Sequence, residues 1–176
     1  MFEINTRGPV YDPEAVQPMR DELLAAGFTE MLTPADVDSF LGQDGTTLVM
    51  INSVCGCAAG SARPGVTLAL QNKIIPDRYL TVFAGQDRDA VDQLRNAYLP
   101  GVPPSSPFMV LFKNGEVVFM MQRYNIEGKT SDMVADELTE AFNAHCTKEG
   151  PSVSPEMYEA IMHAKACGSK IPRYNG

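Results

Sequence analysis

Two cysteines separated by a single glycine, Cys55 and Cys57, are the residues of this sequence best suited to chemistry. They follow residues 46–51 (TTLVMI), a run of apolar and β-branched side chains that predicts a strand buried on both faces. A helix is expected to begin at about Cys57 and to run to about Gln71. Backbone N–H groups at the start of a helix stabilise an anion, and a thiolate is such an anion. The spacing therefore predicts redox chemistry at this pair.

Asn52, Ser53 and Gly56 complete the segment. The first two have the side chains of a polar turn and a helix cap, and Gly56 lets the backbone fold inward between the cysteines. A disulfide needs Cα atoms about 4.4–6.8 Å apart, and residues i and i+2 of an extended chain lie near the upper limit. A disulfide within the motif is therefore expected to be strained and readily reduced. We also expect these three residues to contact the substrate.

The two cysteines are assigned different roles in disulfide exchange, which requires a thiolate because a protonated thiol is a poor nucleophile. Cys55 precedes the helix and is expected to be the more exposed, so we assign it as the nucleophile. Cys57 lies about one residue into the helix and is assigned as the resolving thiol, with the reverse assignment left open. The preceding strand has no carboxylate, so proton transfer is expected to use water, Asn52, Ser53 or another group.

A metal site is the main alternative to redox chemistry at these cysteines. A zinc site needs about four ligands, and His145, Cys146, His163 and Cys167 are the side chains available to complete one. The spacing between them and the Cys-x-Cys pair resembles no zinc finger. We therefore interpret Cys146 as a helix-end thiol, Cys167 as an incidental thiol in the tail, and both histidines as surface residues.

Composition limits the class of protein. The 176 residues carry a formal net charge of −8, spread along the chain, and the isoelectric point is near 4.7. This charge argues against nucleic acid or an anionic membrane surface as a partner. No apolar run approaches the roughly 20 residues of a membrane helix, and the polar residues 1–12 do not resemble a signal peptide. We expect a cytoplasmic protein, in which structural disulfides are rare.

Periodicity and turn residues predict an α/β fold. Strands are predicted at residues 46–51, 78–84, 108–113 and 116–122. Helices are predicted at residues 13–28, 33–42, 57–71, 87–98, 130–145 and 155–167. Strands joined through helices should be parallel, and the Asn114–Gly115 turn makes the last pair antiparallel. We expect a mixed four-stranded central sheet with helices on both faces and an N-terminal helical addition. Residues 1–146 would form this domain, and residues 147–176 a C-terminal extension of unknown role.

The order of these elements, with a cysteine motif after the first strand, resembles the thioredoxin fold. Pro107, followed by FMVLFKNGEV, is similar to the thioredoxin segment in which a cis proline opens the third core strand. The segments NSVCGCAAGSARP, VFAGQD, PSSP and AFNAHC, between about Pro18 and Cys146, resemble the bacilliredoxin family, whose members carry Cys-Gly-Cys in place of Cys-x-x-Cys. This resemblance covers over two thirds of the chain and places Pro107 beside Cys55, in contact with substrate.

The resemblance implies an enzyme that removes bacillithiol from mixed disulfides on client proteins. Disulfide isomerase activity is the alternative within the same class, and metal or iron–sulfur binding is the alternative from a different class. No bound cofactor is expected, because bacillithiol acts as a co-substrate. The implied partners are bacillithiolated client proteins and a low-molecular-weight thiol. Arg63 is expected to be a solvated helix residue, with attraction of a bacillithiol carboxylate as the alternative.

Overall fold

The computed structural model describes residues 7–176. These residues form seven strands: β1 (Thr29–Glu30), β2 (Thr46–Asn52), β3 (Ile74–Ile75), β4 (Arg78–Phe83), β5 (Phe108–Lys113), β6 (Glu116–Met121) and β7 (Lys148–Glu149). Five of them make a central sheet in the order β1-β4-β2-β5-β6, while β3 and β7 pair separately. All four predicted strands lie in the central sheet, so the predicted fold class is confirmed. Part of the polar opening segment, residues 1–6, lies outside the described residues.

The strand directions make the sheet mixed, as predicted. β2 is parallel to β4 and antiparallel to β5. The β5–β6 hairpin turns at Asn114 and Gly115, whose φ angles of 51° and 83° are typical of an Asn-Gly turn. The prediction that β5 would be parallel to β4 was wrong, and the two strands run in opposite directions. Residues 99–107 bring the chain back to the end of the sheet at which β4 finishes, so β5 starts there. β1 adds a fifth strand beside β4 that was not predicted, since two residues carry no periodic pattern.

Seven α-helices lie within the described residues: α1 (Pro13–Ala25), α2 (Pro34–Leu41), α3 (Arg63–Ala69), α4 (Arg88–Gln93), α5 (Arg123–Ile126), α6 (Ser131–His145) and α7 (Pro155–Glu159). Side-chain caps fix several starts, and Thr33 and Asp36 form a reciprocal capping box at α2. Pro18 lies inside α1 without interrupting it. Pro64 lies in the first turn of α3, and the turn just before α3, Ala58–Ala62, has π-helical hydrogen bonding. None of the described helices has both the length and the apolar character needed to cross a bilayer.

The core has one layer on each face of the sheet. Leu48 and Met50 of β2 pack into the cluster shared with α3 and α6. Val49 and Ile51 point to the other face, into the cluster shared with α2 and α4. This alternation follows from the two-residue period of a strand. β2 is buried along its whole length, so the segment that follows it starts from a rigid support.

The C-terminal extension, residues 147–176, packs along the domain. β7 pairs antiparallel with β3, and Ile161 is buried in the same cluster as α3 and α6. Ser154 caps α7 as predicted, but the predicted helix to residue 167 was wrong, because α7 ends at Glu159. The extension then continues to the N-terminal segment, where the Asp12 N–H donates to the Pro172 carbonyl at 2.9 Å. The division of the chain at residue 146 stays a prediction.

Candidate active site

Cys55 and Cys57 lie at the carboxyl end of the sheet, where β2 is followed by the helical segment that leads into α3. The backbone is helical from Gly56 onwards, and the Ala58 N–H donates to the Cys55 carbonyl at 3.1 Å. Cys55 therefore precedes the helix and Cys57 lies in its first turn, as the sequence indicated. The start of a helix favours a negative charge, and the two cysteines lie at this start.

The two sulfur atoms of Cys55 and Cys57 are 3.1 Å apart. Both thiols are free, and both residues are half-buried. The expectation that Cys55 would be distinguished by its exposure is therefore not supported. What separates the two thiols is the set of groups around each sulfur.

The pKa values of the two thiols shift in opposite directions. Burial acts to raise the pKa of Cys55, but hydrogen bonds from the Cys57 thiol, the Ala58 N–H and the Ser53 hydroxyl outweigh it, so that pKa is lowered. Burial, the hydrogen bond with Cys55 and the charge of Cys55 raise the pKa of Cys57 to about 11. A thiol that donates to a neighbouring thiolate produces this pattern. The pair consequently keeps one proton, on Cys57, when Cys55 is ionised.

Arg123, the first residue of α5, is a cation beside the pair that the sequence did not reveal. Its charge acts to lower the pKa of both cysteines. The Arg123 N–H donates to Ser105 Oγ at 2.9 Å, and its Nε donates to Glu127 Oε1 at 2.9 Å. A four-residue helix has no periodic pattern, so no sequence signal pointed to this residue.

Asn52 and Ser53 lie behind the cysteines and join them to the core. Asn52 is 1% exposed, and its Nδ2 donates to the Met19 carbonyl at 3.1 Å. Its Oδ1 accepts from the Ser53 N–H at 2.8 Å. Ser53 Oγ accepts from the Cys55 N–H at 3.3 Å. Through these bonds, Asn52 and Ser53 hold the turn that carries Cys55. Direct contact of either residue with substrate stays a prediction.

Arg63 is fully buried beneath this turn, so the expectation of a solvated arginine was wrong. Its Nη1 donates to Asn52 Oδ1 at 3.1 Å and to the Ser53 carbonyl at 2.7 Å. Its Nε donates to Glu22 Oε1 at 3.0 Å, and the Glu22 side chain is also fully buried. Burial of a charge is tolerated only when it is paired and hydrogen-bonded. We call Glu22, Asn52 and Arg63 the buried cluster.

Glu22 is the acid that the sequence analysis missed. The strand before the cysteines carries no carboxylate, but α1 brings one to the back of the site. A signal was present, because Glu22 lies three residues after Met19 on the stripe of α1 that is buried against the domain. A carboxylate on an apolar stripe and an arginine in a run of small residues, AAGSAR, together indicate a buried pair.

The C-terminal extension completes the hydrogen bonding of the buried cluster. The Ala164 N–H donates to Glu22 Oε1 at 3.0 Å, and Arg63 Nη2 donates to the Ala164 carbonyl at 3.0 Å. His163 Nδ1 lies 2.7 Å from Glu22 Oε2. His163 is exposed, as expected of a surface residue, although one ring nitrogen contacts the buried Glu22 carboxylate. The extension therefore lies against the cysteine segment.

Pro107 and Gly56 were also predicted to contact substrate. The Ser106–Pro107 bond is cis, as the resemblance implied. β5 begins at the next residue, Phe108, which pairs with Ile51 near the end of β2, so Pro107 lies across from the turn that leads to Cys55. Gly56 is exposed, and a Cβ added there would meet no atom within 4 Å. Contact of either residue with substrate stays a prediction.

The other two cysteines, Cys146 and Cys167, are also free thiols. Cys146 is buried at the C-terminal cap of α6, which confirms its interpretation as a helix-end thiol. Cys167 and His163 both lie beyond the end of α7 at Glu159, so no helix joins these two candidate metal ligands. Among residues 7–176, no group of three or more His, Cys, Asp or Glu side chains is arranged to hold a metal ion.

Comparisons with known proteins place the chain in a family. The family model described as "Disulphide isomerase" matches residues 11–146. A bacilliredoxin of Salinibacter ruber is 50% identical over 143 residues, which are 80% of this chain and 83% of that protein. A bacilliredoxin of Cytophaga hutchinsonii is 48% identical over 129 residues, covering 73% of this chain and 95% of that protein. A bacilliredoxin of Staphylococcus aureus is 47% identical over 137 residues, covering 78% of this chain and 94% of that protein.

Similarity to solved structures is weaker. The solution structure of oxidised thioredoxin from Plasmodium falciparum has a TM-score of 0.41 and 16% identity, over 65% of this chain and 96% of that one. The similarity to the bacilliredoxins is at the level of sequence and extends over most of both chains. The chain therefore belongs to the bacilliredoxin family, a family of thiol-disulfide oxidoreductases.

Proposed function

We propose that the protein removes bacillithiol from mixed disulfides on client proteins, with Cys55 as the nucleophile and Cys57 as the resolving thiol. The observation that carries this proposal is the 3.1 Å contact between sulfur atoms whose pKa values are shifted in opposite directions. One sulfur is thereby favoured as a thiolate and its neighbour as a thiol, which is the starting state that exchange requires.

In the first step the Cys55 thiolate attacks the bacillithiol sulfur of the mixed disulfide. A bond forms between this sulfur and Cys55 Sγ, the bond to the client sulfur breaks, and the client cysteine leaves as a thiolate that takes a proton from solvent. One disulfide replaces another, so no external oxidant or reductant is consumed. The charge of Arg123 favours the attacking thiolate before this step.

The first step prepares Cys57 for the second. The Cys55 thiolate is a major cause of the raised pKa of Cys57, through its hydrogen bond and its charge. Once Cys55 carries the adduct, both contributions disappear, and Arg123 still acts to lower the pKa of Cys57. Cys57 can then lose its proton and attack Cys55 Sγ, which releases bacillithiol and forms the Cys55–Cys57 disulfide. A second small thiol can release the adduct in place of Cys57.

The proposal needs no bound cofactor, with bacillithiol as the thiol co-substrate. Its partners are bacillithiolated client proteins and a low-molecular-weight thiol, and the cytoplasm is the proposed location. Asn52 and Ser53 would act by holding Cys55 in place, while Gly56 and Pro107 would face the substrate.

Disulfide isomerase activity is the second candidate, and the description of the matching family model favours it. Here Cys55 would attack a disulfide between two client cysteines, and Cys57 would release a client that failed to rearrange. The two activities use the same pair of thiols but differ in the group that Cys55 captures.

The test offers a bacillithiol-modified client and a glutathione-modified client to the wild type and to Cys55→Ser and Cys57→Ser. We expect Cys55→Ser to abolish release and Cys57→Ser to accumulate a bacillithiol adduct on Cys55, detected by mass spectrometry. Cys146→Ser is the matched control and should behave as the wild type, because that thiol is buried at the end of α6. Equal release by all variants would contradict the proposal. Efficient refolding of a scrambled disulfide substrate without release of bacillithiol would favour the isomerase.

A further inference from the structure

A groove of about 440 Å³ opens between the cysteine segment and the C-terminal extension. On the domain side it is lined by Gly56, the residue between the two cysteines, and by Gly60 one helical turn further on. A Cβ added at either glycine would meet no atom within 4 Å. The volume is within the range of about 300–1,000 Å³ typical of small-molecule sites. The groove is therefore large enough for a small ligand beside the thiols, and the glycines leave it open.

The opposite wall is formed by the extension through His163, Lys165 and Cys167. The extension is held there by the hydrogen bonds between Ala164 and the buried cluster. Farther along, a Cβ on Gly168 would lie 3.6 Å from Val54 Cγ2, so the chain is in contact with the cysteine segment on both sides of Lys165. This wall is fixed in position by the rest of the fold.

Lys165 supplies an available positive charge in this groove. None of the ion pairs formed among residues 7–176 includes Lys165. His163, by contrast, is already in contact with the Glu22 carboxylate. Arg63, which the sequence offered as a partner for a substrate carboxylate, is fully buried and bonded to Glu22 and Ser53. This ammonium group favours an anionic ligand locally, although the net charge of the whole chain is −8.

We infer that this groove binds the small-thiol half of the mixed disulfide, and that Lys165 binds a carboxylate of that thiol. The inference rests on the proposed function and adds the class of ligand: a low-molecular-weight thiol that carries a carboxylate. Its sulfur would be presented to Cys55 at the Gly56 end of the groove. The C-terminal extension is thus part of the substrate site, and Lys165 is a specificity-determining residue.

The test compares one client carrying three different small thiols: bacillithiol and glutathione, which have carboxylates, and cysteamine, which has none. We expect Lys165→Ala to raise KM for the bacillithiol and glutathione adducts by about three- to tenfold, as for loss of one hydrogen bond of ordinary strength. KM for the cysteamine adduct, whose ammonium group cannot pair with Lys165, should not rise, and kcat for all three should be unchanged. A larger rise in KM for the bacillithiol adduct than for the glutathione adduct would show that Lys165 contributes more to the binding of bacillithiol. Lys170→Ala is the matched control, since Lys170 lies on the same extension but does not line the groove.

A second variant tests the shape of the groove separately from its charge. Gly60→Met places an unbranched side chain in the open space and should raise KM for all three adducts, including cysteamine. Equal KM values for Lys165→Ala and the wild type, or equal effects of Lys165→Ala on adducts with and without a carboxylate, would overturn the inference. Those results leave the proposed function standing if the wild type still releases the adducts. A wild type that releases none of them would instead remove the proposed function itself.

Discussion

The surroundings of Cys55 and of Cys146 differ although both thiols belong to the same small domain. Cys55 stands before the start of a helix, above the buried cluster, with hydrogen-bond donors and a cation around its sulfur. Cys146 stands at the end of α6 and packs into the apolar cluster of the core. The start of a helix favours an anion and its end disfavours one.

Burial acts in the same direction on both thiols, and the outcomes are opposite. It raises the pKa of Cys146, where one hydrogen bond with Thr46 opposes the rise and the nearby Asp77 carboxylate adds to it. It also acts to raise the pKa of Cys55, but the donors from Cys57, Ala58 and Ser53 reverse the result. A single hydrogen bond does not offset burial at Cys146, whereas the larger set of donors does so at Cys55.

The largest expected effect concerns the charged pair beneath Cys55. Glu22→Gln leaves the Arg63 guanidinium buried without its counter-charge, and we expect a loss of about 3–5 kcal/mol in the free energy of unfolding, measured by urea denaturation. Glu127→Gln, which removes the exposed partner of Arg123, should change it by less than about 0.5 kcal/mol. Similar losses in the two variants would show that the region under Cys55 is not specially dependent on its buried charges.

The next effect is the difference in reactivity between the two thiols. At pH 7 we expect iodoacetamide to modify Cys55 at least about 100-fold faster than Cys146, because each unit of pKa changes the thiolate fraction about tenfold and Cys146 is also shielded. Peptide mapping of a time course by mass spectrometry measures both rates in one sample. Comparable rates would show that the different surroundings of Cys55 and Cys146 do not make their thiols differ in reactivity.

A smaller effect isolates the hydrogen bond from Cys57. Cys57→Ala removes the donor, so the pKa of Cys55 should rise and its alkylation at pH 7 should slow by about three- to tenfold. Cys57→Ser keeps a hydroxyl donor, so its Cys55 alkylation rate should lie between those of the wild type and Cys57→Ala. The sign is fixed by the direction of the shift: the variants differ below the ordinary thiol pKa and converge above it. A pH profile that is the same in all three proteins would exclude this role.

The smallest effect belongs to Arg123, whose guanidinium is largely exposed. Arg123→Ala should raise the pKa of Cys55 slightly and slow its alkylation at pH 7 by about twofold, because exposed charges are weakened by solvent. Arg123→Lys keeps the charge and serves as control. In 1 M salt, where the screening length is about 3 Å, the difference should disappear. An effect that persists in high salt would point to a structural role for Arg123.

Much of the fold was predictable because its signals are local. The buried run of β2, the Asn114–Gly115 turn and the cap at Thr33 each lie within a few consecutive residues, and all were predicted. The position of the cysteines at the junction of strand and helix followed from the same kind of signal. The direction of β5 did not, because it depends on the path of residues 99–107 and not on the pattern of the strand.

The missed parts of the site depend on contacts between distant segments. Glu22 and Arg63 are 41 positions apart; Arg63 was interpreted as a solvated helix residue, and Glu22 was not singled out at all. The predicted helix in the extension stops at Glu159. In the next segment, Ala164 accepts a hydrogen bond from Arg63 and donates one to Glu22. Tertiary hydrogen bonds replaced helical ones at this point. Such pairings are readable from sequence only when both partners are known to be buried.

The contact between the two sulfur atoms has one more consequence. Because the second ionisation is delayed to about pH 11, the motif carries a single negative charge throughout the alkaline range that follows the first. Its reactivity should therefore reach a plateau as pH increases, instead of passing through a narrow optimum. Once Cys55 is ionised, a further rise in pH that stays below about 11 would not add a second thiolate to the motif.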